Sequence, residues 1–438
     1  MKKKKRKKKK KSSVRHTRAV KRALVKQPIA PPPDEEIKNR FAEILLPAID
    51  AQKEFVKKLG LRSRSLTLRV MVAIVVSVIW RQLPGGGSEI SRLLVSEGLL
   101  WVVVMKVSQQ AISERLRTFP PIIFLRIFQS ILPVLRKRWQ ERDRPLPPPL
   151  AWATKKYKKV LSVDGSTLDA LERRVGLLRG QEKHPLAGKM MGLLDLSSWL
   201  PYWIWYEEKP TTSEQNFWTR ILLAVPKGAL LLFDLGFTNF GRFADLTQKG
   251  VTFITRAKSN LSFDVEKVLF KSQNLVDLVI WIGEGKTRQR VRLIKACYKG
   301  QWHSYITNEL DPDELPAAYV VALYYQRWTI EDAYNIVKRL LGLAYFWNGS
   351  QNGVQLQLWA TWIIYAILVD MTDDVAQLLG KRFLDISIER VFKSLYYFAQ
   401  ALERGEANDP IDYLAKNAKW LGIIKSRRRR ARDQVWFW

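Results

Sequence analysis

Four side chains in the stretch YYQRWTIEDAYNIVK, residues 324–338, are of types that handle phosphate: Tyr324, Arg327, Glu331 and Lys338. At about 100° per residue on an α-helix, offsets of 0, 3, 7 and 14 bring them within an arc of roughly 60°. One predicted helix face therefore carries a carboxylate, two cations and a phenol. The same pattern has a plainer explanation, a solvated face with an Arg327–Glu331 ion pair at i,i+4. Two aspartates elsewhere bear on the choice. Asp164 in VLSVDGS and Asp234 in LLLFDLGF each end an apolar run of strand character, and open α/β sheets collect ligands at the C-terminal ends of such strands. Singly, each also suits a helix cap or an Asx-turn. With Glu331 they make three acids able to hold two Mg²⁺ ions about 3.5 to 4 Å apart, which activate an attacking oxygen, stabilise a leaving one and clamp the phosphorus between them. Three clustered acids repel one another and persist only with cations to hold them. In that setting Arg327 offers a two-pronged hydrogen bond to phosphate, Lys338 a point charge and Tyr324 a hydroxyl donor.

The elements that must position these residues follow from periodicity. Residues 1–34, running into IAPPPDEE, read as a disordered basic arm with too little apolar surface to offset the entropy of ordering. Over residues 35–150 the apolar spacing is helical, in EIKNRFAEILLPAIDAQKEFVKKL, SLTLRVMVAIVVSVIWRQL, SEISRLLVSEGLLWVVVMK and SQQAISERLRTF. That predicts a compact all-α module of four or more helices, with Ser88 and Ser108 as N-caps, closed by the proline-stiffened linker RPLPPPL, Arg144–Leu150. Within residues 151–258, KKVLSVDGS, MGLLDLSS and LPYWIWYEE predict three strands. SEQNFWTRILLAVPKG then predicts a helix, GALLLFDLGF a strand, NFGRFADLTQKG a helix and VTFITRAK a strand, an α/β order with at least one right-handed crossover. LVDLVIWIGEG, RQRVRLIKACY and WHSYITN make residues 259–312 a β-rich insertion. Residues 313–345 hold the helix of the phosphate-type side chains, and residues 346–438 hold C-terminal helices and a second basic cluster, SRRRRAR.

Charge names the partner class. The 74 Lys and Arg against 41 Asp and Glu give +33, which points to a polyanion, nucleic acid before an acidic membrane surface. The first 22 residues hold 14 of those cations and no acid, and the remaining 60 still exceed the acids. A single cysteine, Cys297, excludes an intrachain disulfide framework and a multi-cysteine zinc site. His16, His184 and His303 show no ligand spacing, so a bound cation would be a hard one on carboxylates. The apolar run Val70–Trp80 between Arg69 and Arg81 is much shorter than the ~20 residues of a membrane span and predicts a buried helix. No apolar stretch follows the basic N-terminus, which therefore does not read as a secretory signal.

The spacing Tyr324, two residues, Arg327, three residues, Glu331, six residues, Lys338 resembles the YREK signature of DDE-class bacterial insertion-sequence transposases, the branch grouped as insertion sequence family four. VDGST (163–167) and FDLGF (233–237) resemble the family's two aspartate motifs, the second departing from a common DRGY form at Leu235 and Phe237. FITRAKSN (253–260), YITNEL (305–310) and VSQQAISERL are similar to further segments, and the likeness runs over about residues 35–400. The resemblance implies an α/β fold: an RNase H-like mixed-sheet catalytic core with a β-rich insertion, preceded by an all-α N-terminal domain and followed by C-terminal helices. It implies a DNA transposase that binds terminal inverted repeats, cleaves phosphodiester bonds at the element ends and transfers the 3′ hydroxyl ends into target DNA. Asp164, Asp234 and Glu331 are then the catalytic metal ligands, and Tyr324, Arg327 and Lys338 bind DNA phosphates. The implied cofactor is Mg²⁺, two ions, with Mn²⁺ as a substitute. The implied partners are double-stranded DNA, both element ends and target, and a second copy in a homodimeric synaptic complex, with no membrane and a location in the bacterial cytoplasm at the nucleoid.

Some relatives form a DNA hairpin and hold a flipped base on insertion-domain tryptophans. Trp302 and Trp281 are the candidates for that stacking, set against plain core packing, which is also the expectation for Trp328. Arg115 and Arg117 make the helical front module the expected reader of the element ends. The alternative function is a catalytically inactive, transposase-derived DNA-binding protein, against which the intact acidic trio speaks. A membrane-surface protein would leave that trio unexplained.

Overall fold

The computed structural model describes residues 34–61, 64–81, 87–168, 188–343 and 351–426. The basic arm expected over residues 1–34, except its last residue, and the basic cluster after Ser426 lie outside the described residues.

Nine strands among the described residues form one mixed sheet in the order β3-β2-β1-β4-β5-β9-β8-β7-β6. They are β1 Val160–Thr167, β2 Lys189–Asp195, β3 Pro201–Glu207, β4 Leu230–Phe233, β5 Thr252–Arg256, β6 Asp264–Lys271, β7 Leu275–Ile282, β8 Gln289–Tyr298 and β9 Gln301–Thr307. The first three form an antiparallel meander, and β4 and β5 then lie parallel to β1, reached through the helices Trp218–Ala224 and Phe240–Gln248. The continuous apolar run of β4 reflects cover on both faces. Leu231 and Phe233 enter one core with Trp218 and Phe243, while Leu230 and Leu232 enter another with Val320 and Leu323.

The β-rich stretch extends this sheet and is not a separate module, because β9 pairs antiparallel with β5 (Ile254↔Thr307) and β8, β7 and β6 follow outward. The sequence reading missed β6. It is the edge strand and exposed along almost its whole length, so its apolar residues show no buried face to report, and its Lys267 and Lys271 blunt the edge against further pairing.

The N-terminal helices do not close a core of their own. Phe41, Leu45, Val72, Val76, Trp80, Ile127 and Ile131 share one core with the helix Gln351–Leu378 and with Ile388–Glu403 and Pro410–Lys416. Gln351–Leu378 is buried at nearly every position from Gly353 to Ala376, so it needs cover on all sides, and segments from both ends of the chain supply it. By length and composition it would cross a membrane, yet 94% of its most apolar window is buried inside the protein. Leu68–Trp80 is a buried helix, as its length predicts. Ser108 is an N-cap, accepting from the Ala111 N–H at 3.2 Å, whereas Ser88 lies inside the helix Gly87–Ser96. RPLPPPL is not an extended linker. Pro148 opens the helix Pro148–Lys156 at a position where a missing N–H costs nothing, and Arg144, Pro149 and Leu150 are buried.

A buried charge cluster joins these helices. Arg142 reaches Asp370 at 2.7 Å, Asp373 at 3.0 Å and Asp374 at 2.6 Å, and Arg40 from the first helix reaches Asp370 at 3.1 Å. The side chains of Asp370 and Asp373 are 1% exposed. Burial raises the carboxyls of Asp373 and Asp374, and the arginines oppose it. Removing one member leaves an uncompensated buried charge, so Asp370→Ala is expected to cost about 3–5 kcal/mol of unfolding free energy. Chemical denaturation checks this, with Arg117→Ala in the exposed Arg117–Glu114 pair leaving the midpoint unchanged.

Candidate active site

β1 and β4 run parallel with Ser162 opposite Leu232. Two residues further along each strand come Asp164 and Asp234, side by side and on the same face, because side chains alternate with period two. Asp164 Oδ1 accepts from the Gly165 N–H at 2.8 Å. Asp234 has left the ladder and caps a short 3₁₀ turn, Leu235–Phe237, its Oδ1 accepting from the Gly236 N–H at 2.8 Å. The Asx-turn reading thus holds for Asp234 and uses one of its oxygens.

The segment expected as one α-helix is divided into four pieces of three pitches. Ala317–Tyr325 is α, Gln326–Trp328 is 3₁₀, Thr329–Asn335 is α and Ile336–Leu340 is π-helical. Arg327 faces inward, where Nη1 donates to Asp164 Oδ2 at 3.1 Å and Nη2 to Glu331 Oε1 at 2.7 Å. The Tyr324 hydroxyl adjoins the same guanidinium, and the Lys338 ammonium donates to the Thr167 carbonyl at the end of β1. The fold therefore gathers Asp164, Asp234, Glu331, Tyr324 and Arg327, with Lys338 anchored three residues along β1 from Asp164.

Burial pushes the Asp164 carboxyl up to about 7; the Arg327 charge and the Gly165 N–H oppose this, and the Asp234 and Glu331 charges add to it. Burial likewise takes the Tyr324 phenol up to about 12. For Arg327 burial works against the charge, but the Glu331 hydrogen bond and the Asp164 charge hold its guanidinium above its ordinary value.

Two further residues of the site were not found from sequence. The Tyr334 hydroxyl donates to the Asp164 carbonyl at 2.6 Å across the space left by Gly192, which pairs with Asp164 in the sheet. Glu214 is a fourth carboxylate. A Cβ built on Gly165 would lie 3.0 Å from Glu214 Oε1, and one built on Gly236 would lie 2.3 Å from Glu214 Oε2 and 3.1 Å from Asp234 Oδ1. Lys189 on β2 holds Glu214 there, Nζ to Oε1 at 3.2 Å. In sequence Glu214 reads as ordinary first-turn acid behind the N-cap Ser213. The trace it leaves is the pair of glycines beside the two aspartates.

The carboxylates are the hard donors that Mg²⁺ or Mn²⁺ takes. As arranged, however, the site fits a guanidinium and not a divalent ion: Arg327 lies between Asp164 and Glu331, and among the described residues no three of His, Cys, Asp and Glu are grouped to hold a metal. The packing expectation for the tryptophans is corrected at two positions. Trp302, beside the turn that opens β9, is 48% exposed and Trp328 is 55% exposed, while Trp281 is half-buried under Arg288 at 5.4 Å. Arg117 is paired with Glu114 at 2.9 Å, and Arg115 lies over the Phe119 ring at 5.3 Å.

Residues 157–367 match the Transposase DDE domain family. The matching segment contains both aspartates and all four residues of the 324–338 pattern. A Sinorhizobium fredii protein carrying the name transposase y4zB is 28% identical over 154 residues, which is 33% of this chain and 43% of that protein. The match thus spans less than half of the relative. A cryo-EM structure of the piggyBac transposase synaptic complex with hairpin DNA aligns over 87% of this chain and 83% of its own, at a TM-score of 0.42 and 11% identity.

Two measurements probe the geometry of the DDE segment. Folded Asp164 keeps its proton from its ordinary value of 3.8 up to about 7, where the unfolded chain has released it. Its contribution is therefore present at low pH and lost as pH rises through about 7. In Asp164→Asn the fall in unfolding free energy between pH 4 and pH 8 should be smaller than in the parent by about 1–4 kcal/mol. Gly236→Ala should displace the Glu214 carboxylate, the flexible end of a side chain, at a cost of less than about 1 kcal/mol, and Glu214→Ala in the same chain should remove that cost, a coupling that equilibrium denaturation of the single and double variants measures.

Proposed function

We propose that the protein is a DNA transposase that binds terminal inverted repeats, cleaves phosphodiester bonds at the element ends and transfers the 3′ hydroxyl ends into target DNA. One observation carries the proposal: Asp164 and Asp234 end adjacent parallel strands inside the DDE-matching segment, and Glu331 comes to them through Arg327. The order β3-β2-β1-β4-β5, with β2 antiparallel to both neighbours, supports an RNase H-like catalytic core, with β6 to β9 as its β-rich extension. The full spacing of Tyr324, Arg327, Glu331 and Lys338 supports placement in the YREK branch, insertion sequence family four. The proposed division keeps the helical N-terminal region, 35–150, as the reader of element ends.

In this reading Asp164, Asp234 and Glu331 are the catalytic carboxylates, and Mg²⁺, two ions, with Mn²⁺ as substitute, is the cofactor proposed with them on the chemistry of their oxygens, although Arg327 takes the place between Asp164 and Glu331 in the arrangement described. Tyr324, Arg327 and Lys338 bind and orient phosphates, Arg327 through its fork and Lys338 as a point charge at the end of β1. The excess of Lys and Arg supplies sequence-independent attraction to the duplex through counterion release, so affinity falls steeply with salt. The exposure of Trp302 supports it as the side chain proposed to stack on an unpaired base, ahead of half-buried Trp281. Joining two DNA ends calls for a homodimer on DNA, and the setting is the bacterial cytoplasm at the nucleoid.

Purified protein incubated with Mg²⁺ and duplex DNA carrying the ends of the flanking element tests this. Glu331→Gln should lower strand cleavage at least about 100-fold, beyond the ~10–100-fold of changes in the surrounding shell, with DNA binding retained. Equal nicking by parent and variant removes Glu331 from the active site. Binding without cleavage by both establishes the inactive DNA-binding alternative instead.

A further inference from the structure

One edge of the sheet lies open between two helices. β3 ends the strand order, so among the described residues no strand pairs with its outer side. The helix Pro121–Gln140 packs on the sheet face that carries Ile204, and the helix Trp218–Ala224 on the face that carries Trp205. Between them runs a groove of about 600 Å³ that Trp203, Ile204 and Trp205 all line. Consecutive strand residues point to opposite faces, so a groove touched by three in a row follows the edge of the strand. Its floor therefore holds the backbone N–H and C=O groups that β3 does not spend on β2. Its walls are apolar, Phe128 and Leu132 on one side and Leu223, 81% exposed, on the other. The volume is that of a specific binding site, and an uncovered edge is a template for another strand.

The polar groups of the groove choose the occupant. Among the described residues two arginines line it and no acid does. Arg220 is paired with Glu207 at 3.4 Å. Arg136 is held by neutral groups: its Nη2 donates to the carbonyls of Pro201 at 3.0 Å and Tyr202 at 3.1 Å, its guanidinium lies over the Tyr202 ring at 4.9 Å, and its Nε is buried without a hydrogen bond. Burial lowers this guanidinium below its ordinary value, the charges of Asp195 and Tyr202 opposing. A half-buried cation that holds only neutral carbonyls is completed by a carboxylate, whose charge-assisted hydrogen bond is the stronger kind. With 74 Lys and Arg against 41 Asp and Glu, a second copy of this chain is a poor source of that carboxylate.

We infer that the groove is a docking site for an extended, acid-bearing segment of a partner protein. The segment adds to β3 as a further strand, with its apolar side chains between the two helices and its carboxylate on Arg136. In strand addition of this kind main-chain hydrogen bonds supply affinity, and the pockets for alternate side chains supply selectivity. β2 separates this edge from β1 and Asp164, so the groove is a site distinct from the centre of acids.

The test starts from a display library of random seven-residue peptides, the length of β3, selected on the full chain. The enriched sequences, remade as synthetic peptides and measured by calorimetry, should alternate apolar residues and carry an Asp or Glu. Leu223→Glu sets a like charge in the exposed wall and should weaken them at least ~10-fold. Exchanging the peptide's acid for its amide should weaken binding about as much in the parent and hardly at all in Arg136→Gln. Where thermal melting shows that Arg136→Gln does not fold, the exchange in the parent and Leu223→Glu decide. Methylating alternate peptide nitrogens separates strand addition from a merely apolar fit: methyls on the N–H groups aimed at β3 should abolish binding, and methyls on the intervening residues should spare it. No enrichment, enrichment of sequences without an acid, equal binding to parent and Leu223→Glu, or equal binding by both methylated forms each overturns the inference. An oligo-dT strand that displaces the peptides from the parent, and does not bind Leu223→Glu, assigns the groove to nucleic acid instead.

Discussion

The parallel pairing of β1 with β4 is the constraint on which the site depends. With Ser162 fixed opposite Leu232, Asp164 and Asp234 leave the sheet together, whatever the intervening chain does. The pairing holds because β4 is apolar on both faces and alternates its side chains into two cores, so a slip by one residue would exchange every contact on both sides. Gly165, Gly192 and Gly236 then clear space around that pair of strand ends for Lys189, Tyr334 and Glu214.

Opposite charges are concentrated in a chain of strong net positive charge. At the centre, four carboxylates face two cations, Arg327 forking between Asp164 and Glu331 and Lys189 holding Glu214. In the helical half, Asp370, Asp373 and Asp374 are met by Arg40 and Arg142 in a setting nearly closed to water. The two clusters differ in what they can do. Asp370 and Asp373 are sealed, so breaking them costs stability, whereas Glu331 is 34% exposed and its partner Arg327 sits beside exposed Trp328.

The long helix Gln351–Leu378 explains why the ends of the chain are inseparable from the middle. A helix apolar all round has no solvent face, and the N-terminal helices, the C-terminal helices and Tyr334 of the 324–338 segment all pack on it or on its neighbours. The scaffold that carries Glu331 is thereby stiffened by helices drawn from residues 34–140 and 388–416.

Periodicity by itself determined the order of elements from β1 to β5, the strand pieces β7 to β9, the buried character of Leu68–Trp80 and the placement of Asp164 and Asp234 at strand ends, because these depend on local burial patterns of period two or 3.6. The spacing of Tyr324, Arg327, Glu331 and Lys338 was equally legible, since it is a property of one short stretch of chain. Tertiary structure decided what no local pattern contains. It joined β9 to β5 and so made one sheet of two predicted parts, merged the front helices with Gln351–Leu378 in one core, and turned the RPLPPPL segment into the packed start of a helix. It changed the pitch of the helix at Gln326–Trp328 and at Ile336–Leu340, and it buried the face that carries Arg327 while leaving Trp328 outside. It also brought Glu214 beside the aspartates, a contact between segments about 20 to 50 residues apart that only the closing of the sheet creates. The physical reason is common to all of these. Sequence patterns record which face of an element is buried, and packing alone chooses what that face meets.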